Sequence, residues 1–445
     1  MDANSTKRIK RKEIDISKQY CFPNQIDVIR YGGKILVVSV NTANWIVLDN
    51  EKQLAFFLLL CENSIQCALE LFDGTKEDYL TVLIQIEARS FERKEVARRR
   101  INKMQLFLTN SCNLRCPHCY VHAGKQSNNE LSYIEVIDLI QSFAEHGGER
   151  LVLTGGEIKM RQDLLKIIQH ASNLNLKIDL LTNGVLWTDD EISKISSMIS
   201  SVQISIDGYD ESSNACVRGK GNFNKALNAV DCFINNGVET EVAITPLYDE
   251  NLEKNSDLYV QFGKSLLRKY RDRDFKLNFT SDLLPGRNIE VNEQIRMDYL
   301  RIVSNIYKNC FGEDSDNPFI FAIKKHELYD NCSYGNIAVS SIGDVYLCGR
   351  ISYLKPVANI RKQNINEIFD ISAIAKASSC IDRLEPCKDC SVRYICGGEC
   401  RLLYFSHFND NTIVQSNIKS SRKCDENRKR FIYELMIRTN SRLFE

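Results

Sequence analysis

The apolar positions of this chain change their period twice. Between residues 26 and 48 they form short β-rich runs, which predict strands at Val28–Tyr31, Lys34–Val40 and Asn44–Leu48. Gly32-Gly33 separates the first two and Asn41 to Ala43 the next two, both hairpin signals. Three helical patterns follow, Glu51–Cys61, Ser64–Leu71 and Glu77–Arg98, with the turn Asp73-Gly74-Thr75 before the last. Residues 20–98 therefore read as a small winged-helix-like unit of three strands plus three helices, with an edge strand left available. Residues 1–19 are polar and basic and read as a flexible tail, the run Lys7 to Lys12 being a solvated one.

From residue 104 the pattern becomes an alternation of β-rich runs with longer helical stretches. Strands are predicted at Met104–Leu108, Arg150–Leu153, Lys177–Leu181, Val202–Ile206, Glu239–Ile244 and Lys276–Phe279, each gap long enough for a crossover helix. This is an α/β fold, a partial (β/α)6 TIM-like barrel over 99–310, closed by a helical stretch near Asn292–Tyr307. In such barrels the chemistry sits in the loops at the C-terminal ends of the strands. Residues 311–430 hold short strands, turns and little apolar content, so something besides hydrophobic burial is expected to hold them together. A mixed-charge helix, Asp425–Thr439, follows, and 431–445 is its end.

Charge and composition narrow the choice. The 58 Lys+Arg balance the 58 Asp+Glu, so no global positive field favours nucleic acid. The longest apolar run, Leu54 to Cys61, has eight residues, against about 20 for a bilayer crossing. No apolar core follows the basic N-terminus as in a secretory signal. The expectation is a cytoplasmic protein with neither membrane nor nucleic-acid partner. The unusual feature is 17 Cys against 6 His. Cys61, Cys67, Cys216 and Cys232 fall in helix-like apolar stretches and read as core thiols; the others are clustered.

Directly after the first barrel strand comes TNSCNLRCPHCY, in which Cys112, Cys116 and Cys119 are spaced C-x3-C-x2-C. A structural zinc wants four ligands, and no fourth is obvious here; His118 and His122 are the neighbouring donors. Three thiolates suit a [4Fe–4S] cube with one iron left open. The motif resembles that of the radical SAM superfamily, over about 100–310. The resemblance implies that the open iron chelates the amino and carboxylate groups of S-adenosylmethionine (SAM). It also implies that reductive cleavage yields a 5′-deoxyadenosyl radical, which abstracts a substrate hydrogen. The cofactor carries the hard step, while the protein positions the hydrogen and excludes water and oxygen. Thr154-Gly155-Gly156-Glu157 looks like the family's GGE motif, with Glu157 on the SAM amino group and the glycines allowing close backbone approach to a ligand. Ser205-Ile206-Asp207-Gly208 ends the fourth strand. Ser205 and Arg218 match positions that bind the SAM ribose and carboxylate in relatives, and Asp207 is read as serving the cofactor. Thr182-Asn183-Gly184 is either part of this site or a plain turn. Asn251 and the LPGR at 284–287 look like further family positions.

A second cluster follows: Cys332 and Cys348, then Cys387, Cys390, Cys396 and Cys400, then Cys424. Thiolate count alone leaves two structural zincs open. The pattern is similar to the SPASM domain, over roughly 330–430, which implies two auxiliary clusters and hence three [4Fe–4S] clusters in all. One would take Cys387, Cys390, Cys396 and Cys424, the other Cys332, Cys348 and Cys400. The fourth ligand of the latter is His326, a displaced Cys310, or an open iron that binds a substrate thiolate. Such clusters relay electrons and stitch the region together.

SPASM relatives mostly modify peptides and proteins. Residues 20–98, including NWIVLDNE at 44–51, look like a leader-peptide recognition domain, which implies a leader added as a strand to the sheet edge near 34–40; a packing or dimerisation domain is the plainer reading. Sulfatase-maturing relatives generally lack such a domain and carry an Asp where this chain has Gly349. The expected function is a radical SAM peptide maturase forming an intrapeptide, sactionine-like thioether in a ribosomal precursor, served by an electron donor such as flavodoxin or ferredoxin. The alternatives are carbon–carbon or other radical crosslinking, epimerisation, sulfatase-maturase-like oxidation, and a non-catalytic metal-bearing peptide-binding scaffold.

Overall fold

The computed structural model describes residues 15–92, 101–311, 332–398, 400–404, 418–419, 424 and 426–441. The basic run Lys7 to Lys12 and His326 lie outside the described residues. The N-terminal unit forms as its pattern predicts. Strands β1 (Ile26–Tyr31), β2 (Lys34–Ser39) and β3 (Asn44–Leu48) make an antiparallel sheet in the order β1-β2-β3. Gly32 and Gly33, at φ +57° and +74°, form the tight turn between the first two. Helices α1 (Glu51–Glu62), α2 (Ile65–Leu71) and α3 (Lys76–Arg89) cover one face, where Ile35, Val37, Ile46 and Leu48 pack against Phe56, Phe57, Val82 and Ile86. α3 starts at a capping box between Thr75 and Asp78. It stops well short of the expected Arg98, because Ser90 turns left-handed at φ +48° and Phe91 folds back into the core, its N–H on the Ile86 carbonyl at 2.9 Å.

One expectation is corrected here. Two successive hairpins share β2, so the segment near 34–40 is the central strand, hydrogen-bonded on both sides. The sheet edges are β1 and β3.

The barrel strands are β4 (Lys103–Phe107), β5 (Arg150–Thr154), β6 (Lys177–Thr182), β7 (Ser201–Ser205), β8 (Glu239–Ile244) and β9 (Phe275–Phe279). All six are parallel and adjoin in chain order. Their helices include α4 (Tyr133–Glu145), α5 (Leu164–Asn173), α6 (Asp189–Ile195), α7 (Glu211–Arg218), α8 (Phe223–Asn235), α9 (Ser256–Lys269) and α10 (Glu293–Phe311). Alternation along the strands divides the labour: Met104, Leu106, Val202 and Ile204 join the hydrophobic core, while Lys103, Gln105, Gln203 and Ser205 face an internal cavity.

The C-terminal region does not begin a separate sheet. Strand β10 (Ala338–Val339) pairs in parallel with β4, and β11 (Asp344–Tyr346) and β12 (Ala358–Asn359) extend the same sheet to nine strands. The helix Glu426–Ser441 then returns to the N-terminal unit. Its Ile432 and Met436 pack with Leu36, Val38, Trp45 and Val47 on the sheet face opposite α1–α3. Trp45 is fully buried there, its Nε1–H on the Met436 carbonyl at 3.0 Å and the Arg89 guanidinium 3.9 Å from its ring centroid. Both faces of the three-stranded sheet are thus covered.

Candidate active site

The cysteine loop leaves the C-terminal end of β4 and is held by backbone bonds. Cys112 N–H donates to Gly124 O at 3.0 Å, and Gly124 N–H to Asn110 O at 2.7 Å. The turn after β5 lies directly on this loop: Gly156 N–H donates to Thr109 O and Glu157 N–H to Ser111 O, both at 2.8 Å. A Cβ on Gly155, which sits at φ +147°, would stand 2.4 Å from Thr109 O, and one on Gly156 would stand 2.3 Å from Ser111 O. The two glycines are therefore needed for contact with the cysteine loop itself, besides lining the cavity beyond it. Gly286 of the LPGR segment serves similarly, since a Cβ there would meet the His118 backbone at 2.5 Å.

A cavity of about 510 Å³ opens at this end of the barrel. Cys112, Cys116 and Cys119 line one wall, with Gly155, Gly156, Asn183, Ser205 and Arg218 beside them. Cys348, Gly349 and Arg350 of the C-terminal region line the same cavity. Burial pushes the Cys112 and Cys348 thiols each up to about 11. Such thiols favour ionisation only when a positive centre joins them, which is the electrostatic demand that an iron cluster meets.

Two predicted carboxylates stand behind the wall. Asp207 is wholly buried, with Arg218 Nε 2.6 Å and His118 Nε2 3.3 Å from its Oδ2, while Oδ1 accepts the Thr245 N–H at 3.0 Å. Glu157 is 1% exposed; its Oε1 accepts from Thr182 Oγ1 and its Oε2 from Asn183 N–H, both at 2.7 Å. Neither carboxylate lines the cavity. Burial raises the Glu157 carboxyl, against the pull of these hydrogen bonds. Asn251 is exposed and also lies away from the cavity.

Several lining residues escaped the motif reading: Lys103, Gln105, Gln203, Asp282 and Arg350. Asp282 forms an ion pair with Arg350. The strand residues carried a signal, because polar side chains at alternate positions of a strand covered by helices need a polar cavity. Asp282 and Arg350 are far apart in sequence and carried none.

The C-terminal cysteines fall into two groups. Cys387, Cys390, Cys396 and Cys424 line a cavity of about 230 Å³, with Arg393, Arg428, Lys429 and Tyr433 around it. Cys332, Cys348 and Cys400 pack together with Tyr334, Leu347 and Leu402, and Cys387 adjoins this group as well. Arg401, wholly buried, influences Cys332 in one group and Cys387 in the other. Burial pushes Cys387 up to about 12. Cys310 is not near either group: its sulfur packs on Gly263 of α9 in the barrel core, which removes it as a candidate ligand. Of the isolated thiols read as core, Cys61 and Cys216 are exposed and Cys67 is half-buried, while Cys232 is half-buried and packs against the barrel core. Among the described residues, no three Cys, His, Asp or Glu side chains converge as ligands of a single ion do. Cys112, Cys116, Cys119 and Cys348 line one cavity and Cys387, Cys390, Cys396 and Cys424 another.

The model of the Radical SAM superfamily matches residues 106–259. The chain is 35% identical over 290 residues to the sporulation killing factor maturation protein SkfB of Bacillus subtilis (strain 168), covering 63% of this chain and 69% of that one. It is 31% identical over 163 residues to the mycofactocin maturase MftC of Mycolicibacterium smegmatis, covering 36% of this chain and 42% of that one. The structure of native anSMEcpe with bound AdoMet shares the fold, with a TM-score of 0.53 at 17% identity over 77% of this chain and 99% of that one. Fold and site together define an enzyme whose [4Fe–4S]- and SAM-binding barrel is fused to a SPASM-like cysteine-rich extension. The chain belongs to the radical SAM superfamily.

Proposed function

We propose that this protein is a radical SAM peptide maturase that forms a thioether within a ribosomally made precursor. One observation carries the reading: Cys112, Cys116 and Cys119 line the same cavity as Cys348. A substrate held there touches both cysteine regions at once. The maturation roles of SkfB and MftC support a peptide or its derivative as that substrate. Against the sulfatase-type oxidation, position 349 is Gly, and the Gln105 side chain fills the space beside it.

In this reading Cys112, Cys116 and Cys119 hold the SAM-binding cluster. Cys387, Cys390, Cys396 and Cys424 hold a second, and Cys332, Cys348 and Cys400 a third. When bound, the first cluster and SAM supply radical abstraction of a substrate hydrogen. The chain's own residues position that event. Asn183, Ser205 and Arg218 present polar groups to the cofactor, Arg218 meeting its carboxylate. Asp207 holds Arg218 and His118 in place, and Glu157 holds Thr182 and Asn183; both are positioning residues. Closing a C–S bond removes two hydrogens from the peptide, one as an atom and one as a proton plus an electron. In this reading the clusters held by the C-terminal cysteines would take up that electron, Cys348 lining the same cavity, and a flavodoxin or ferredoxin in a reducing cytoplasm would supply the priming one. Among the described residues no helix is long and apolar enough to cross a membrane.

The test is anaerobic reconstitution with iron and sulfide, then SAM and dithionite. 5′-Deoxyadenosine is expected. Iron-replete protein that makes none is a scaffold and not an enzyme. With a candidate precursor, loss of two hydrogens together with loss of a free thiol supports the thioether. Loss of two hydrogens with all thiols intact supports a carbon–carbon bond, and an unchanged mass supports epimerisation.

A further inference from the structure

We infer that the Lys103 ammonium receives a carboxylate of the substrate peptide, at the wall of the barrel cavity that carries Cys348. The carboxylate belongs to an acidic side chain or to the peptide's C-terminus. This rests on the peptide-maturase reading and names a group by which that substrate is held.

The cations that line the cavity are not equivalent. Arg218 pairs with the buried Asp207 at 2.6 Å, and Arg350 pairs with Asp282. Lys103 differs: among the described residues its Nζ has neither a hydrogen bond nor an ion pair. Asp179, whose charge acts on it, is engaged elsewhere. Both oxygens of Asp179 accept from Arg150 Nη1, at 2.7 and 2.8 Å, and Oδ1 also accepts from Ser201 Oγ at 2.7 Å.

A lysine on the surface needs no partner, because water solvates it. Lys103 is half-buried at the first position of β4, where alternation turns it inward with Gln105. An ammonium drawn out of bulk water in this way gains from a fixed anion. Burial pushes its pKa down, as it does for a charge short of partners.

The place of Lys103 says whose carboxylate it takes. The charged groups that act on it include Asp179, Arg150 and Cys348, whereas those that act on Arg218 include Asp207, Cys116 and Cys112. Arg218 thus stands with the C-x3-C-x2-C loop, where the SAM carboxylate is read to bind, and Lys103 with the C-terminal cysteine. SAM has one carboxylate, so an organic anion at Lys103 comes from the substrate. Neutral amides complete the setting. Gln105 lies against Gly349, where a Cβ would stand 2.2 Å from its Oε1. Asn336 Oδ1 accepts the Lys103 N–H at 3.2 Å, and Gln203 lines the same cavity. A cation among amide donors suits a carboxylate, which takes the charge from one and N–H bonds from the others. A sulfur of the Cys348 group is the competing partner.

The test uses anaerobic, iron-replete, SAM-loaded protein and three synthetic pentapeptides. One is acetylated and amidated with a central Glu between glycines, the second has Gln in its place, and the third is acetylated pentaglycine with a free C-terminus. Binding is read by saturation-transfer NMR up to about 10 mM, a range suited to such short probes. One or both acid peptides should bind about tenfold tighter than the Gln peptide, and which one does so identifies the source of the carboxylate. Lys103→Gln should erase the preference and Lys103→Arg should keep it. Lys177→Gln, which removes an exposed lysine at the start of β6, should leave it unchanged. In the unaltered protein the preferred peptide should also slow acetylation of Lys103 by an N-hydroxysuccinimide ester, read by mass spectrometry, which keeps the inference testable if Lys103→Gln fails to load iron. Equal or absent binding of all three peptides, or a preference that survives Lys103→Gln, would overturn it. So would a Lys103→Gln protein in which the C-terminal clusters change potential while the preference persists, which would assign Lys103 to a cysteine sulfur. These measurements read binding, so they stand apart from 5′-deoxyadenosine formation and the precursor mass change, which test the maturase reading.

Discussion

The two cysteine-lined cavities are built on different principles. The barrel cavity is defined by strand ends: parallel neighbours fix β4 to β9, and the loops that leave them have little choice of where to go. Its thiols rest on a network of main-chain bonds from Thr109, Ser111 and Gly124. The cavity of Cys387, Cys390, Cys396 and Cys424 is bounded by short 3-10 turns and single helical turns. The helix Glu426–Ser441 supplies the rest of the lining, and the packing behind the cysteines comes from elsewhere in the chain. Cys387, Cys390 and Cys396 pack in one cluster with Leu36, Val38, Trp45 and Val47 of the N-terminal sheet and with Ile432 and Met436 of the last helix. The first site carries its own scaffold, and the second borrows one from the module that is also read as the peptide-recognition unit. The N-terminal unit is thus part of the packing behind the second cysteine cavity.

The largest effect is expected from replacing Cys112, Cys116 and Cys119 together by Ala. SAM cleavage should vanish while iron bound by the C-terminal cysteines remains, read as iron per chain and by electron paramagnetic resonance. Loss of all iron would show that the two sites are not independent. Next is Asp207→Ala, which leaves the buried Arg218 without its carboxylate. Removing one member of a buried pair costs about 3–5 kcal/mol. A lowered melting temperature and weakened SAM binding should appear together, and weakened binding without destabilisation would mean that Asp207 acts on the cofactor directly.

Trp45→Ala comes third, because it removes packing behind the second cavity from a distant part of the chain. A Trp deletion in a core costs about 3–5 kcal/mol. Iron should be lost from the C-terminal region before the barrel site, and Trp45→Phe should restore much of it. Equal loss from both sites would make Trp45 a general core residue. The smallest effect concerns the seam between barrel and C-terminal region, where Glu135 at the start of α4 meets Arg361 at 2.5 Å. Hydrogen bonds from Arg361 and Ser132 hold the Glu135 carboxyl down to about 2, from an ordinary 4.5. A carboxyl depressed on folding stabilises above its unfolded value and loses that contribution as pH falls toward the folded one. The melting temperature should thus decline between about pH 4.5 and 2, and Glu135→Gln should flatten that decline. The pair is partly solvated, so its worth is a few tenths of a kcal/mol. An unchanged pH profile in the variant would assign the acid loss to other carboxylates.

Much of this was written in local sequence. Strand and helix positions followed from periods of two and 3.6, because a side chain's burial is set by its neighbours two to four residues away. The clustering of the cysteines was visible in their spacing, and the structure places Cys112, Cys116 and Cys119 on one cavity and Cys387, Cys390, Cys396 and Cys424 on another. Placement was not. β2 looked like an accessible edge until its two hairpins were seen to share it. Glu157 and Asp207 sat in the expected motifs, yet the fold turns both toward neighbouring side chains behind the cavity wall.

The sequence alone determined the kinds of element, the turns between them and the ligand chemistry on offer, since each depends on a handful of adjacent residues. Only tertiary structure decided that β10 would lie against β4, that Arg350 would meet Asp282 in the cavity, and that the last helix would hold Gln85 on the β3 edge. Those contacts join residues hundreds of positions apart or from separate segments. Their energies come from burial that no single segment can complete, so no local pattern records them.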